Sequence, residues 1–305
     1  MTEMVACYVC GGTDATPFLD AEDDLTGKPG HFAIVRCAIC GLAYQSPRLT
    51  LADIKPYYDD NYIAHQPRWR WGALAPIVNW AMASVDRAKL RIVERYVRLS
   101  RESSVLDVGC GTAAFLALLR QETGAAVVGV DFVDLSARET MRGTEFHHGL
   151  FYEQEVGPGR FDLITMWHFL EHDYDPRRSL AHAREALAPG GRLVIEVPRL
   201  DSLSFKLFGR RWPGVQAPQH TALYDKRSLL ALVERAGFEV VDHLSYGAFP
   251  PYFYLFCGAA FVARRGRGLN LQRAVLPYFA GQVLCAPALP ILKRMNFAMQ
   301  TVVCK

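Results

Sequence analysis

From residue 104 the chain alternates short apolar runs with amphipathic stretches. Ser104–Val108, Val127–Asp131, Phe161–Met166, Arg192–Val197 and Phe238–Leu244 are rich in β-branched or aromatic residues and free of proline, so they predict strands. Between them, helices are predicted over 112–123, near 133–141, over 174–187 and over 226–236. Ala188-Pro-Gly-Gly191 ends the third of these, and Asp225 caps the fourth. Met299–Cys304 predicts one more strand. Strands buried on both faces and alternating with helices predict an α/β fold with a parallel, doubly wound sheet. Upstream, Ile77, Trp80, Val85, Leu90, Val93 and Val97 fall at helical spacing, which makes residues 48–100 a helical connector. Its tyrosines Tyr57, Tyr58 and Tyr62 either form a lid or pack the connector.

With 305 residues, half of them hydrophobic, the chain is long enough for about two domains and excludes a disordered or collagen-like polymer. The formal charge of +3 conceals three blocks. Residues 1–45 carry six acids against two bases; residues 243–305 carry seven bases and no acid; the middle is neutral. No signal-like segment follows the initial Met-Thr-Glu-Met, so a cytoplasmic protein is expected.

The acidic block holds two Cys-x-x-Cys pairs, Cys7/Cys10 and Cys37/Cys40, each followed by glycine. Two intervening residues let both thiolates face one ion, and the glycine permits the tight turn behind them. Residues 1–47 are therefore expected to form a ribbon around a structural Zn²⁺. The ribbon's negative charge opposes phosphate attraction, so nucleic acid is not an expected partner.

Asp107-Val-Gly109-Cys-Gly111-Thr112 follows a strand and opens a helix, and Asp131 ends the next strand. Ligands of open parallel sheets sit beyond the strands' carboxyl ends, where a carboxylate such as Asp131 can accept both hydroxyls of a ribose. A nicotinamide loop would read G-x-G-x-x-G, but position 114 is alanine.

The run Val105-Leu-Asp-Val-Gly-Cys-Gly-Thr-Ala113 instead resembles the first motif of class I S-adenosylmethionine-dependent methyltransferases. Phe161-Asp-Leu-Ile164 and Leu187-Ala-Pro-Gly-Gly191 are also similar to that family. The resemblance implies a Rossmann-like seven-stranded sheet over 101–305, with an antiparallel seventh strand beside the sixth. It implies S-adenosylmethionine as cofactor, with Asp107, Gly109 and Gly111 around its methionine part. Asp131 would bind the ribose, Phe132 would lie beside the adenine, and Leu150 and Trp167 would complete the lining. The family often has an acidic residue where Gly149-Leu150-Phe151 stands, so its adenine contact is expected to be replaced by backbone groups or stacking.

After the fourth strand come His168, Glu171 and His172, spaced to share one face of a helical turn, and His220 could join them. Three readings stay open: a base (His168 or His172) oriented by Glu171, a brace beneath the site, or a second divalent metal site. The last rests on similarity to the ubiquinone and small-RNA O-methyltransferases, which carry E-x-x-E-H here and bind a divalent ion; His168 replaces their first Glu.

Residues 244–263 and 274–292 carry no charge and are flanked by Arg264, Arg265, Arg267, Lys293 and Arg294. They predict a helical hairpin, 245–298, inserted before the last strand. It would meet an anionic membrane surface, a second copy in a homodimer, or a hydrophobic substrate. Taken whole, the chain resembles zinc-knuckle methyltransferases associated with polysaccharide and secondary-metabolite genes. That implies methylation of a hydroxyl, or of an activated carbon, on a sugar, lipid-linked glycan or other amphipathic small molecule. A quinone O-methyltransferase and a non-catalytic scaffold are the alternatives.

Overall fold

The computed structural model describes residues 1–58, 72–265, 268–269 and 271–305. At the N-terminus, β1 (Thr2–Glu3) pairs with β5 (Arg48–Leu49), and β2 (Ala15–Ala21), β3 (Phe32–Cys37) and β4 (Ala43–Gln45) form an antiparallel meander. The connector contributes α1 (Leu51–Ile54) and α2 (Ala75–Val93). Tyr62 lies outside the described residues.

The sheet then builds in chain order: β6 (Ser104–Val108), α3 (Ala114–Thr123), β7 (Ala126–Asp131), β8 (Glu145–His148), β9 (Phe161–Trp167), α4 (Pro176–Ala186) and β10 (Leu187–Pro198). There follow α5 (Leu203–Phe208), β11 (Ala222–Leu223), α6 (Lys226–Arg235), β12 (Val240–Leu244), α7 (Pro251–Arg264), α8 (Leu271–Cys285), α9 (Leu289–Arg294) and β13 (Met299–Cys304). The seven-stranded order is β12-β13-β10-β9-β6-β7-β8. Only β13 runs antiparallel, slotted between β10 and β12. The expected fold class, including an antiparallel seventh strand beside the sixth and a helical insertion before it, is what the structure has.

Local chemistry sets the element ends. Asp175 accepts the Arg178 N–H and Pro176 opens α4; Asp225 and Ser228 form a reciprocal capping box on α6. Gly124, at φ +75°, closes α3. Two expectations change. No α-helix forms at 133–141: Asp134 Oδ1 accepts both the N–H and the hydroxyl of Ser136, an Asx turn that competes with helix, and only the single turn Glu139–Met141 follows. Ala188-Pro-Gly-Gly191 belongs to the start of β10, where the register with β9 shifts between Leu187 and Arg192.

The small β11, from the far side of the chain, pairs with β4 and so completes the ribbon's sheet. Cys7, Val9, Leu42 and Tyr44 share one buried cluster with Ile164, Ile195 and Val302 of the large sheet. The insertion joins a third cluster, in which Tyr254 of α7 packs with Ile34, Trp212 and Met299. The carboxyl end of the large sheet is thus flanked by α2, the ribbon and α7.

Candidate active site

The first glycine turn is shaped by close approach. Gly109, at φ +74°, donates to Val130 O, and a Cβ there would meet Phe169 at 3.0 Å. Gly111, at φ +51°, faces open space and donates to Asp131 Oδ2 at 2.8 Å. Asp131 also accepts the Val133 N–H at 3.0 Å, so its buried carboxylate is locked at the end of β7. Phe132 is exposed beside it, edge-on to Tyr58 with centroids 4.9 Å apart. Leu150 is half-buried after β8.

Asp107 is buried at the end of β6 and accepts the Thr165 hydroxyl at 2.6 Å. Burial raises its pKa to about 7, against the opposing pull of Lys89 and Thr165. Trp167, 5% exposed, ends β9 edge-on to Phe115, and its Nε1–H has no hydrogen-bond partner among the described residues. Two residues of α2 that sequence reasoning passed over, Asp86 and Lys89, reach this same end, with Lys89 Nζ over the Phe115 and Trp167 rings. Their signal was an Asp/Lys pair at i, i+3 on the apolar face of α2.

The histidine-rich turn, expected to face the acceptor, follows β9. Residues 168–172 form a turn rather than the expected helical face. The reasons are two: His168 donates its N–H to Glu196 O, and the Glu171 carbonyl is taken by the Thr221 and Ala222 amides. His168 sits at φ +54°, with Nδ1 3.4 Å from Glu171 and Nε2 3.2 Å from Glu196. Burial disfavours its charge, but the two carboxylates outweigh that and raise its pKa to about 9. Glu196, fully buried, also accepts the Ala248 and Phe249 amides. The sequence reading missed it; its signal was a lone acid inside an otherwise apolar strand.

His172 and His220 stack edge to face, ring centroids 4.5 Å apart. Each places Nδ1 against a carbonyl, Gln219 at 3.0 Å and Gly214 at 2.8 Å, and a ring that donates from Nδ1 to its carbonyl carries its lone pair on Nε2. Burial depresses both pKa values to about 3, keeping both rings neutral. Tyr58 reaches in with its hydroxyl 3.0 Å from His172 Nδ1. Glu171 is 1% exposed, and neither carboxylate oxygen has a hydrogen-bond partner among the described residues. Donor atoms of Glu171, His172 and His220 lie within 4.8 Å of one another. His168, which the sequence placed in such a metal set, is paired with Glu171 and Glu196 instead.

In the ribbon, Cys7, Cys10, Cys37 and Cys40 converge as free thiols, Cys7 3.4 Å from Cys40 and Cys10 3.4 Å from Cys37. Sulfurs around Zn²⁺ at Zn–S ~2.3 Å lie about 3.8 Å apart, so the cluster fits that ion. Gly12 N–H points at Cys10 Sγ, as the knuckle requires.

The sequence profile of a family described as methyltransferase domain matches residues 82–243, more than half of the chain. The chain belongs to this methyltransferase family. Its seven-stranded fold is that of a class I S-adenosylmethionine-dependent methyltransferase. A probable S-adenosylmethionine-dependent methyltransferase of Mycolicibacterium smegmatis is 28% identical over 155 residues, 49% of this chain and 58% of that one. A ubiquinone biosynthesis O-methyltransferase of Idiomarina loihiensis is 27% identical over 144 residues, 45% of this chain and 56% of that one. The chain thus spans a little over half the length of these curated relatives. Haemonchus contortus phosphoethanolamine N-methyltransferase 2, solved with S-adenosyl-L-methionine, superposes with TM-score 0.52 at 18% identity, over 86% of this chain and 61% of that one, a likeness of fold.

Proposed function

We propose that this methyltransferase transfers a methyl group from S-adenosylmethionine to a hydroxyl of an amphipathic small molecule, such as a lipid-linked sugar. The observation that carries the acceptor class is the contact between His168 and Phe249, ring centroids 5.2 Å apart. It sets the polar turn against an aromatic wall of Phe249, Phe253 and Tyr254. One part of the acceptor meets charge and imidazole; the rest meets apolar rings.

The cofactor supplies a methyl carbon already activated on a sulfonium. The chain must then align the acceptor oxygen opposite the departing sulfur, exclude water and take up one proton. Asp131 and the Gly109–Gly111 turn are assigned the ribose and methionine parts. His172 is assigned the proton, received on Nε2, with the Glu171 carboxylate beside it to stabilise the imidazolium as it forms. His168, cationic between Glu171 and Glu196, is assigned to positioning. The Glu171 carboxylate, which has no hydrogen-bond partner among the described residues beyond its ion pair with His168, lies close to two neutral imidazoles and favours a second reading, in which Glu171, His172 and His220 hold a divalent cation. Such an ion would make a bound hydroxyl more acidic.

We also assign Zn²⁺ to the four cysteines, as a structural ion. No helix of the described residues is long and apolar enough to cross a membrane. Leu207 of α5, Val283 and Leu284 of α8 and Ile291 of α9 are 60–81% exposed. Lys206 of α5, Arg264 of α7 and Arg294 of α9 are exposed, as are Arg210 and Arg265 just past the ends of α5 and α7, and no ion pair among the described residues holds them. This supports docking on an anionic membrane surface rather than insertion.

The test of the acceptor is turnover. Formation of S-adenosylhomocysteine is measured with polyprenyl-phosphate-linked sugars and with free sugars. Methylation of the lipid-linked set with a 14 Da mass gain is expected; equal turnover of free sugars would remove the amphipathic requirement.

A further inference from the structure

Glu196 is the acid that β10 buries completely, 0% exposed among Leu193, Val194, Ile195 and Val197. An apolar side chain in this slot would cost less, because a carboxylate taken out of water must be offset by partners. Those partners come from three other segments. The Ala248 N–H donates to Oε2 at 2.6 Å and the Phe249 N–H to Oε1 at 3.2 Å. His168 Nε2 lies 3.2 Å from Oε1, and the Thr301 hydroxyl of β13 reaches Oε2 at 3.5 Å. The main chain of Glu196 holds the same histidine a second time, accepting the His168 N–H at 2.9 Å. His168 has φ +54°, a conformation that a β-carbon disfavours, so this double grip fixes a strained residue. The loop between β12 and α7 also comes very close: a Cβ on Gly247 would stand 2.5 Å from the Glu196 carboxyl carbon. Burial opposes the charge of Glu196, but His168 and the two amides outweigh it and hold its pKa below the ordinary carboxylate value.

The consequence is geometric. His168 belongs to the turn after β9, and Phe249 to the loop that leads into α7. Their ring centroids are 5.2 Å apart, and Phe249 continues to Phe253 at 4.9 Å. We propose that Glu196 is a positioning residue for methyl transfer: its carboxylate fastens the His168 ring and the Phe249 backbone to one point, which sets the polar turn and the aromatic wall at one separation and so aligns the acceptor. The proposal rests on the acceptor reading above and adds the group that fixes its geometry. Being fully buried, Glu196 acts through His168 and Phe249 rather than on the acceptor itself. An aliphatic side chain would fill the slot but could fasten neither.

The test is steady-state kinetics with a polyprenyl-phosphate-linked sugar, beside calorimetric binding of S-adenosylmethionine. Glutamine has one oxygen for two amides and an imidazole, so Glu196→Gln is expected to lower kcat about 10- to 100-fold, the scale of a misaligned reactant. Cofactor affinity is expected to stay at the wild-type value, which a role in folding alone would not predict. Gly247→Ala pushes the loop off the carboxylate and leaves the His168 pair in place. It is expected to raise KM for the lipid-linked acceptor about 10-fold with kcat largely kept. The double variant Glu196→Gln/His168→Gln is expected to lose no more than the worse single variant, as groups acting as a unit do. Melting curves report folding; if Glu196→Gln does not fold, Gly247→Ala decides, and an unchanged acceptor KM there overturns the assignment. Unchanged kcat in folded Glu196→Gln, an equal loss of cofactor affinity, or additive losses in the double variant also overturn it. A wild-type protein that binds S-adenosylmethionine but methylates neither lipid-linked nor free sugars removes the acceptor reading, and this assignment with it.

Discussion

The Thr221 amide donates to the Glu171 carbonyl at 2.7 Å. Thr221 directly precedes β11, whose Ala222 pairs with Tyr44 of β4, so a short backbone path leads from the cysteine ribbon to the acceptor turn. Arg177 strengthens the link by donating to the Tyr8 and Val9 carbonyls within the first knuckle. The ribbon's sheet is therefore tied by backbone contacts to the 168–172 turn, the proposed acceptor side. Asp107 and Asp131 belong to β6 and β7, which do not pair with it.

Removing the metal with a strong chelator, or the Cys10→Ser substitution, is expected to slow methyl transfer about 10- to 100-fold, the scale of lost metal-site support. S-adenosylmethionine affinity should change about threefold at most on the same scale. Parallel turnover and binding measurements check this. Loss of both to the same extent would mean that the ribbon supports the whole sheet rather than the acceptor turn.

His168 gives a pH signature. Its folded-state pKa, about 9, lies above the ordinary 6.5, so its ion pairs stabilise the fold fully below pH 6.5 and lose that contribution as pH rises through 9. Melting temperature should fall between pH 7 and 9.5, and the slope should flatten in His168→Gln. A variant with the wild-type slope would show that His168 is not charged in the fold.

Glu171→Gln keeps the shape of the side chain but removes its charge. Activity is expected to fall about 10²- to 10⁴-fold, the range for general acid–base groups, with cofactor affinity retained. Adding Mg²⁺, Mn²⁺ or Zn²⁺ separates the two readings of this cluster. Because chelation also strips the ribbon, a rate that Mg²⁺ or Mn²⁺, ions ill suited to four thiolates, restores to the chelated protein supports the divalent site; a rate restored by Zn²⁺ alone belongs to the ribbon and supports His172 acting alone.

Docking on lipid predicts salt-sensitive sedimentation with phosphatidylglycerol vesicles and none with phosphatidylcholine vesicles. The Lys206→Glu/Arg294→Glu pair should abolish it without changing the melting temperature. Sedimentation unaffected by the pair, or absent at low salt, would leave the exposed face to a second copy of the chain.

Much of this was legible because it is local. β6, β7, β9, β10, β12 and β13 announce themselves as apolar runs, Asp225 as a cap, and the cysteines as two knuckles, whereas β8, Glu145–His148, has a single apolar residue and gives no such signal. What stayed hidden depends on partners distant in sequence. β11 is two residues long, and only the register of β4 makes it a strand. The 168–172 turn follows helical spacing, yet amides from 221 and 222 occupy the carbonyl a helix would need. His168 reads as a base until Glu196, 28 residues on, is seen beside it. Trp167 was expected to line the cofactor, but the lysine above it lies on a helix whose pattern speaks only of packing.

The turn after β6 and the carboxylate ending β7 are the residues proposed to hold S-adenosylmethionine. Calorimetric titration of the wild-type protein and of Asp131→Asn tests this most directly. Saturable one-to-one binding is expected of the wild type, and a loss of about 2 to 3 kcal/mol, or roughly 30- to 150-fold, of the variant, since the ribose hydroxyls lose a charged acceptor. No measurable binding by folded wild-type protein, or equal affinity in Asp131→Asn, would contradict it.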